Sequence, residues 1–345
     1  MDPVTHAILG ATISYATCGR TLGRNAAGLG ALAGITPDID HFVSSDTDPL
    51  LYVEFHRSFT HSIAFSVIGV LLPMLPWLLR GDFRSRFATL WLCAWPAYLS
   101  HCFLDASTTW GTQLAWPFSR ARVSWDLIEI VDPLFTLTLL ILLLLALRRA
   151  TPRVAGIALG IVCTYIGLGG VQHARAASIQ RQLAAARHHA IERHEVMPTL
   201  GNNVVWRSVY LADGKIHSDR IRVGWFGRGT VREGAALPLV TELDLRTSER
   251  TANLDRGGFR RFAWFTGGWL ARAPGDETII GDMRYSRSTE AFDPVWGIRL
   301  ADSNGRPTVE WVSRERNRQL SLRELWDEIL GRDARFIPPG SIGKP

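Results

Sequence analysis

The sequence predicts an α-helical membrane domain of about five to six apolar helices, followed by a soluble, antiparallel β-rich α+β domain. Three observations carry this. Nearly all the long apolar runs fall within residues 1–172, most of the charge falls within residues 173–345, and the His and Asp residues of the apolar half gather at one end of its runs. A mean hydropathy of +0.06 averages these two unlike halves. With 345 residues, the chain has room for more than one domain.

Residues 63–79, 87–104 and 130–147 are each long and apolar enough to span a bilayer, which takes about 20 helical residues. Residues 154–171 are Gly-rich and equally uncharged. Residues 4–17 and 26–35 are shorter and rich in Gly and Ala, so they read either as two close-packed spans or as one re-entrant hairpin. Asp2 and His6 stand where a cleavable signal peptide would carry a basic region, so the first residues do not read as one.

The connections sort by charge. Arg20, Arg24, Arg80, Arg84, Arg86, Arg148, Arg149 and Arg153 lie in the short turns, whereas the longer opposite connections carry only Arg57, Arg120 and Arg122. The positive-inside bias places the short turns in the cytoplasm. The N-terminus, residues 36–62, residues 105–129 and everything after 172 then lie outside. The formal net charge of +6 follows from the same loops, and no stripe of interleaved aromatic and basic residues points to nucleic acid. Cys18, Cys93, Cys102 and Cys163 form no CxxC pair, which excludes a zinc knuckle or redox dithiol and leaves small residues inside helices.

Residues 172–195 read as a polar helix, rich in Ala, Arg and His, that connects the two domains (1–172, then 173–197, then 198–345) and is ended by Pro198 and Gly201. His173, His188, His189 and His194 read as solvated on it. Short β-type runs follow at 204–211, 220–226, 242–245 and 308–312, separated by turn signals at Asp213-Gly214 and Asn304-Gly305, with an amphipathic helix at 320–330.

The chemistry lies in the ionisable residues of the apolar half: Asp2 and His6, then Asp38, Asp40 and His41, then His56 and His61, then His101 and Asp105, and finally Asp126, Glu129 and Asp132. All fall at outer ends of predicted spans or in outer connections. Such groups are expensive near a membrane core, and their sorting implies a use. His101 and Asp105 stand at i, i+4 and share a helix face, as do Asp2 and His6. Pro37-Asp38-Ile39-Asp40 places two carboxylates two residues apart in an extended segment. Thr60 reads as a helix cap beside His61, and Asp132-Pro133 as a helix start. Arg57 reads either as a solvated loop charge or as a clamp for an anionic substrate.

Imidazole with carboxylate suits a divalent transition metal, zinc, manganese or iron, rather than calcium. The candidate ligands His6, Asp38, Asp40, His56, His61, His101 and Asp105 exceed the needs of one tetrahedral ion, which points to two. Asp40, Asp105 and Arg57 are the candidate catalytic residues: the carboxylates as base or as orienter of an imidazole, the arginine as clamp. The expected activity is metal-dependent hydrolysis of a phosphoester or lipid-like substrate at the outer face of the cytoplasmic membrane. The alternative is a non-enzymatic metal-binding membrane protein or transporter. Trp110, Trp116 and Trp125 are expected at headgroup depth, in contact with membrane lipid.

The series Met1-Asp2-Pro3-Val4-Thr5-His6, Pro37-Asp38-Ile39-Asp40, His56-Arg57-Ser58-Phe59-Thr60-His61-Ser62, His101-Cys102-Phe103-Leu104-Asp105, Thr109-Trp110-Gly111-Thr112-Gln113-Leu114 and Asp132-Pro133-Leu134 resembles the YdjM-like family of bacterial inner-membrane proteins. These are described as metal-dependent hydrolases and linked by name to LexA regulation. The resemblance covers roughly residues 1–175. It implies a membrane-bound hydrolase that uses a divalent metal, with His6, Asp38, His56, His61, His101 and Asp105 as the metal-associated set and Asp40 beside them.

Overall fold

A computed structural model describes residues 1–247, 255–286, 292–303, 306–313 and 322–342. The chain divides into two compact units: Met1–Val43, Phe55–Val171 and Leu200–Asn202 form the first, and Ser44–Glu54, Gln172–Thr199 and Asn203–Pro345 the second.

The first unit is helical. Asp2 caps α1 (Pro3–Leu22) by accepting from the Thr5 amide, and Gly23, at φ +58°, turns the chain into α2 (Arg24–Ile35). These two helices make the tightest packing in the unit. A Cβ on Gly10 would stand 2.2 Å from the Gly30 carbonyl oxygen, and one on Gly34 would stand 2.3 Å from the His6 carbonyl oxygen. Only glycine permits that approach.

A 3-10 turn at Thr36–Phe42 follows α2, then α3 (Leu51–Phe55) of the second unit and a 3-10 turn at Phe59–His61. Next come α4 (Ile63–Gly69), α5 (Leu71–Leu78), α6 (Gly81–Arg84), α7 (Phe87–Ala106), α8 (Pro133–Arg148) and α9 (Pro152–Ala186). Ser62, not Thr60, caps α4, accepting from the Phe65 amide. Asp132 caps α8 with Pro133 in its first turn, as the sequence suggests, and also accepts from the Tyr165 hydroxyl at 2.7 Å. Among the described residues α7 and α9 are long and apolar enough to cross a membrane. The pair Leu51–His61 and Ile63–Leu78, bent by 72° at its break, would make a third, and α8 is apolar but shorter.

α9 corrects the connecting-helix reading. It starts at Pro152 and ends at Ala186, and residues 193–198 are the strand β1 (Arg193–Pro198). The polar stretch is also not solvated. Ala176, Ile179 and Leu183 pack on Trp206, Ile221 and Val231, and the buried Gln180 donates to the Glu195 and Val209 carbonyls and the Ser208 hydroxyl. A helix whose apolar stripe lies on a sheet while its polar groups satisfy that sheet's backbone reads as polar in sequence. Likewise His173 packs on Trp206 and His189 on Tyr210, whereas His188 and His194 are exposed.

The second unit holds two antiparallel sheets. In the first, β1, β2 (Val205–Ala212), β3 (Lys215–Arg222) and β4 (Thr230–Arg232) lie in order, with β5 (Ala236–Pro238) also paired to β3. β2 is buried along its length: Trp206 faces the α9 cluster, while Val209 and Leu211 join Trp269, Ala271 and Met283 on the other face. The Asp213-Gly214 hairpin has both residues at positive φ, the geometry this dipeptide favours. The second sheet runs β6 (Leu270–Ala273), β7 (Asp276–Asp282), β8 (Trp296–Ser303) and β9 (Arg306–Ser313). Residues 242–245 are not a strand but the start of α10 (Glu242–Thr247), followed by α11 (Arg256–Phe265) and α12 (Leu322–Leu330). The Asn304-Gly305 turn lies outside the described residues.

Within this unit α11 reaches the 44–54 segment. Arg261 pairs with Asp48 (2.9 Å) and Glu54 (2.8 Å), and its hydrogen bonds hold the Asp48 carboxyl below the usual carboxylate range.

The glycine contact of α1 with α2 gives a direct check. Gly30→Ala should lower the unfolding temperature of detergent-purified protein by the equivalent of about 1–3 kcal/mol, the usual cost of overpacking. Gly28→Ala, where the nearest atom lies at 3.5 Å, should leave it near the parent value.

Candidate metal centre

Four segments bring the ionisable residues together. The 3-10 turn at Thr36–Phe42 supplies Asp38, Asp40 and His41, so the two carboxylates lie on a tight helical turn rather than in the extended segment expected from their spacing. Both reach His61, Asp38 at its Nε2 and Asp40 at its Nδ1, while Asp38 also nears His101 and Asp40 also meets His56. Residues 56–61 supply His56, Arg57 and His61; α7 supplies His101 and Asp105 one turn apart; α1 supplies His6.

Asp40 organises the 56–61 segment. Its Oδ1 accepts from His56 Nδ1 at 2.9 Å. Its Oδ2 accepts from the Arg57 amide at 2.8 Å and the Thr60 hydroxyl at 3.0 Å, and lies 3.1 Å from His61 Nδ1. Arg57 is held at φ +62°, a strained region for a side chain of this size. Both its backbone groups are pinned, since its carbonyl accepts from the Gln113 amide.

Two imidazoles then face one another. His101 Nδ1 donates to the Gly34 carbonyl at 2.6 Å. His61 Nδ1 lies against Asp40 Oδ2 and the Thr60 oxygen, both of which accept. With Nδ1 protonated in each ring, both Nε2 atoms present lone pairs. They stand 3.0 Å apart. Asp38 Oδ1 lies 3.6 and 3.5 Å from these two nitrogens, and Asp105 Oδ2 lies 3.4 Å from each. Four potential ligand atoms thus converge, with the Arg57 guanidinium and the Met1 ammonium as counter-charges on Asp105.

The donor set fits a transition metal. Asp38, His61, His101 and Asp105 each offer one ligand atom, and Asp38, Asp40, His41 and His56 form a second such group; in each, the atoms lie within 4.8 Å of one another. Asp38 belongs to both, the relation a bridging carboxylate would have to two ions.

The remaining expected residues take supporting places. His6 Nε2 lies 3.0 Å from Asp105 Oδ1, and its ring stacks on that of His101 with centroids 3.6 Å apart. It thus holds Asp105 from outside the cluster of four. Arg57 is neither a solvated loop charge nor an open clamp: it is buried, with Nε 2.9 Å from Asp105 Oδ2 and Nη1 on the Thr108 hydroxyl. Arg122 donates to the His56 and Gly111 carbonyls, while Arg120 is exposed. Asp2 and Asp132 cap helices. Trp125 is exposed, and Trp110 packs edge-on to His56.

His41 is the residue the ligand set omitted. Its Nδ1 lies 3.7 Å from Asp40 Oδ1 and its side chain is 47% exposed. The Asp40 carboxylate beside it pushes its imidazole up from the ordinary range. Its place directly after Asp40 was the available signal, visible once the acidic pair is wound as a 3-10 turn.

A family model described as "YdjM inner membrane protein" matches residues 1–176, about half of the chain. The chain belongs to this family. Every residue of the centre lies inside the matched region, and membership together with the apolar helices fits the bacterial inner membrane. Among curated relatives, the uncharacterized protein YfhP of Bacillus subtilis is 29% identical over 208 residues, covering 58% of this chain and 62% of YfhP. The inner membrane protein YbcI of Escherichia coli is 35% identical over 79 residues, covering 22% of this chain and 44% of YbcI. The chain thus spans less than two thirds of the length of either relative. No solved structure matches it.

Replacing the organising carboxylate should show in stability before chemistry. Asp40→Ala leaves the Arg57 amide, the Thr60 hydroxyl and two imidazole Nδ1 groups without their acceptor, each worth about 1–3 kcal/mol when buried. Thermal unfolding in detergent should fall well below that of His41→Ala, whose side chain is half exposed.

Proposed function

We propose that this protein is a membrane-bound, metal-dependent hydrolase whose His/Asp centre holds two divalent transition-metal ions, zinc or manganese, at the outer face of the inner membrane. The observation that carries the reading is the convergence of His61 Nε2, His101 Nε2, Asp38 and Asp105. The ligands would be Asp38, His61, His101 and Asp105 for one ion and Asp38, Asp40, His41 and His56 for the other.

Such ions supply an acidified water and neutralise charge at a phosphoryl or acyl centre. The chain's own residues prepare for that. The Gly34 carbonyl and Asp40 keep the His101 and His61 lone pairs aimed inward, and Arg57 with His6 holds Asp105 in place. A lipid-like, anionic substrate suits the surroundings: Ile39 and Phe42, on the same turn as the acidic pair, expose apolar surface, and Arg120 is exposed in the opposing connection. The outer location rests on the arginine bias of the short turns, and the multi-pass arrangement adds α1, α2 and α8 to the longer helices.

Elemental analysis of detergent-purified protein should find about two equivalents of transition metal per chain, as binuclear chemistry requires. Asp38→Ala should lose both and His101→Ala one of them, each variant eluting at the parent position in gel filtration. Asp40→Asn, which takes a charged ligand from one ion and loosens the imidazoles of His56 and His61, should weaken metal affinity by about 10–100-fold or more. Loaded protein should hydrolyse a member of a panel of phosphomonoesters, phosphodiesters and lipids, with activity lost on chelation. A tightly loaded protein that turns over none of them would mean ion handling without hydrolysis.

Orientation is checked separately. Cysteines placed at 84–86 should react with impermeant reagent only from the cytoplasmic side, and those at 44–50 only from the outer side. The reverse pattern places the centre inside.

A further inference from the structure

Beyond the metal centre, and independently of it, we propose that the loop at residues 224–228 is a membrane-docking finger, seated in the headgroup layer of the bilayer that α9 leaves. Gly224-Trp225-Phe226-Gly227-Arg228 follows β3, turning through Gly227 at φ +87°. Phe226 is 95% exposed and Trp225 47% exposed. A tight turn offering two large aromatic side chains to solvent is costly unless something apolar receives them.

Its anchorage says what that is. Gln172, the first residue past the apolar stretch of α9, donates to the Asn203 and Val223 carbonyls at 3.2 and 2.8 Å. Arg175, one turn on, donates to three carbonyls of the loop: Gly224 at 2.9 Å, Trp225 at 3.4 Å and Gly227 at 3.1 Å. At about 1.5 Å per residue, Arg175 stands about 6 Å along α9 from Val171. The headgroup layer is roughly 5–8 Å deep on each side. Arg175 therefore holds the loop at the depth where indole and phenyl rings sit best, half in the acyl boundary and half among headgroups. Arg228, exposed beside Phe226, places a positive charge where anionic phosphates lie.

A second element converges on the same edge. Arg222, two residues before the loop, donates to the Glu328 and Ile329 carbonyls at 3.0 and 3.1 Å, which brings the end of α12 to the base of the finger. α12 exposes Trp326 (60%) and Leu330 (44%), one turn apart on one helix face. Two independently built elements of this unit thus present aromatic and aliphatic surface on one edge, as an interfacial helix and loop would.

The experiment uses the full chain in nanodiscs of phosphatidylethanolamine with phosphatidylglycerol, with Cys18 and Cys163 replaced by serine. A spin label is placed at Phe226→Cys, at Arg228→Cys or, as control, at Asp213→Cys. The control marks the hairpin tip at the other end of β3, about 25 Å away at 3.3 Å per residue. Labels at 226 and 228 should collide several-fold more with lipid-soluble oxygen than with a water-soluble nickel chelate, and the label at 213 should show the reverse. The preference at 228 should disappear in Trp225→Ser/Phe226→Ser. Nickel access at 226 and 228 equal to that at 213 overturns the proposal. So does protection from both reagents, which would mean that a protein partner covers the loop.

Discussion

The carboxylate of Asp40 is the contact on which the centre depends. It accepts from an imidazole, an amide and a hydroxyl of the 56–61 segment and approaches a second imidazole. Only the short 3-10 turn Phe59–His61 runs through that segment, so its geometry comes largely from convergence on one buried anion. The strained backbone at Arg57 is the corollary: the turn that points its amide at Asp40 also carries its guanidinium onto Asp105. One carboxylate thus sets the position of another's counter-charge, and the two halves of the cluster are coupled through a single residue.

A parallel dependence runs through Gly34. It lies close enough to His6 that no side chain fits, and its carbonyl is the acceptor that sets the His101 tautomer. Helix packing and the orientation of His101 meet at one residue. A small change in the approach of α2 to α1 is therefore felt at the Nε2 of His101, although no ionisable group has changed.

Sequence reasoning read the centre better than the shapes that build it. The clustering of His and Asp at one end of the apolar runs was legible because ionisable side chains there are costly and seldom incidental. The Asp132-Pro133 helix start and the Asp213-Gly214 turn were legible because both depend on local chemistry alone. The acidic pair was misread as extended because a two-residue spacing fits a strand by periodicity, while a 3-10 turn is too short to show a period. The Thr60 cap failed because Asp40 competes for its hydroxyl, and that partner lies 20 residues away. The second half of α9 reads as a solvated connector because the sheet that Gln180 and its neighbours satisfy is formed by strands that follow it in the chain. Arg57 reads in sequence as a solvated charge or an anion clamp because its ion pair with Asp105 spans 48 positions.

The pairing of Arg261 with Asp48 and Glu54 bears on the order in which the molecule is made. These ion pairs link positions 213 and 207 residues apart, and the segment they hold runs between Asp40 and His56. At a synthesis rate of 5–20 residues per second, roughly 10–40 s separate the appearance of Glu54 from that of Arg261. For that interval the stretch joining two ligand groups lacks its partner in α11. A nascent chain then carries both His/Asp groups before the loop between them is secured, so assembly of the centre and completion of the C-terminal half are events to be ordered in time, not only in space.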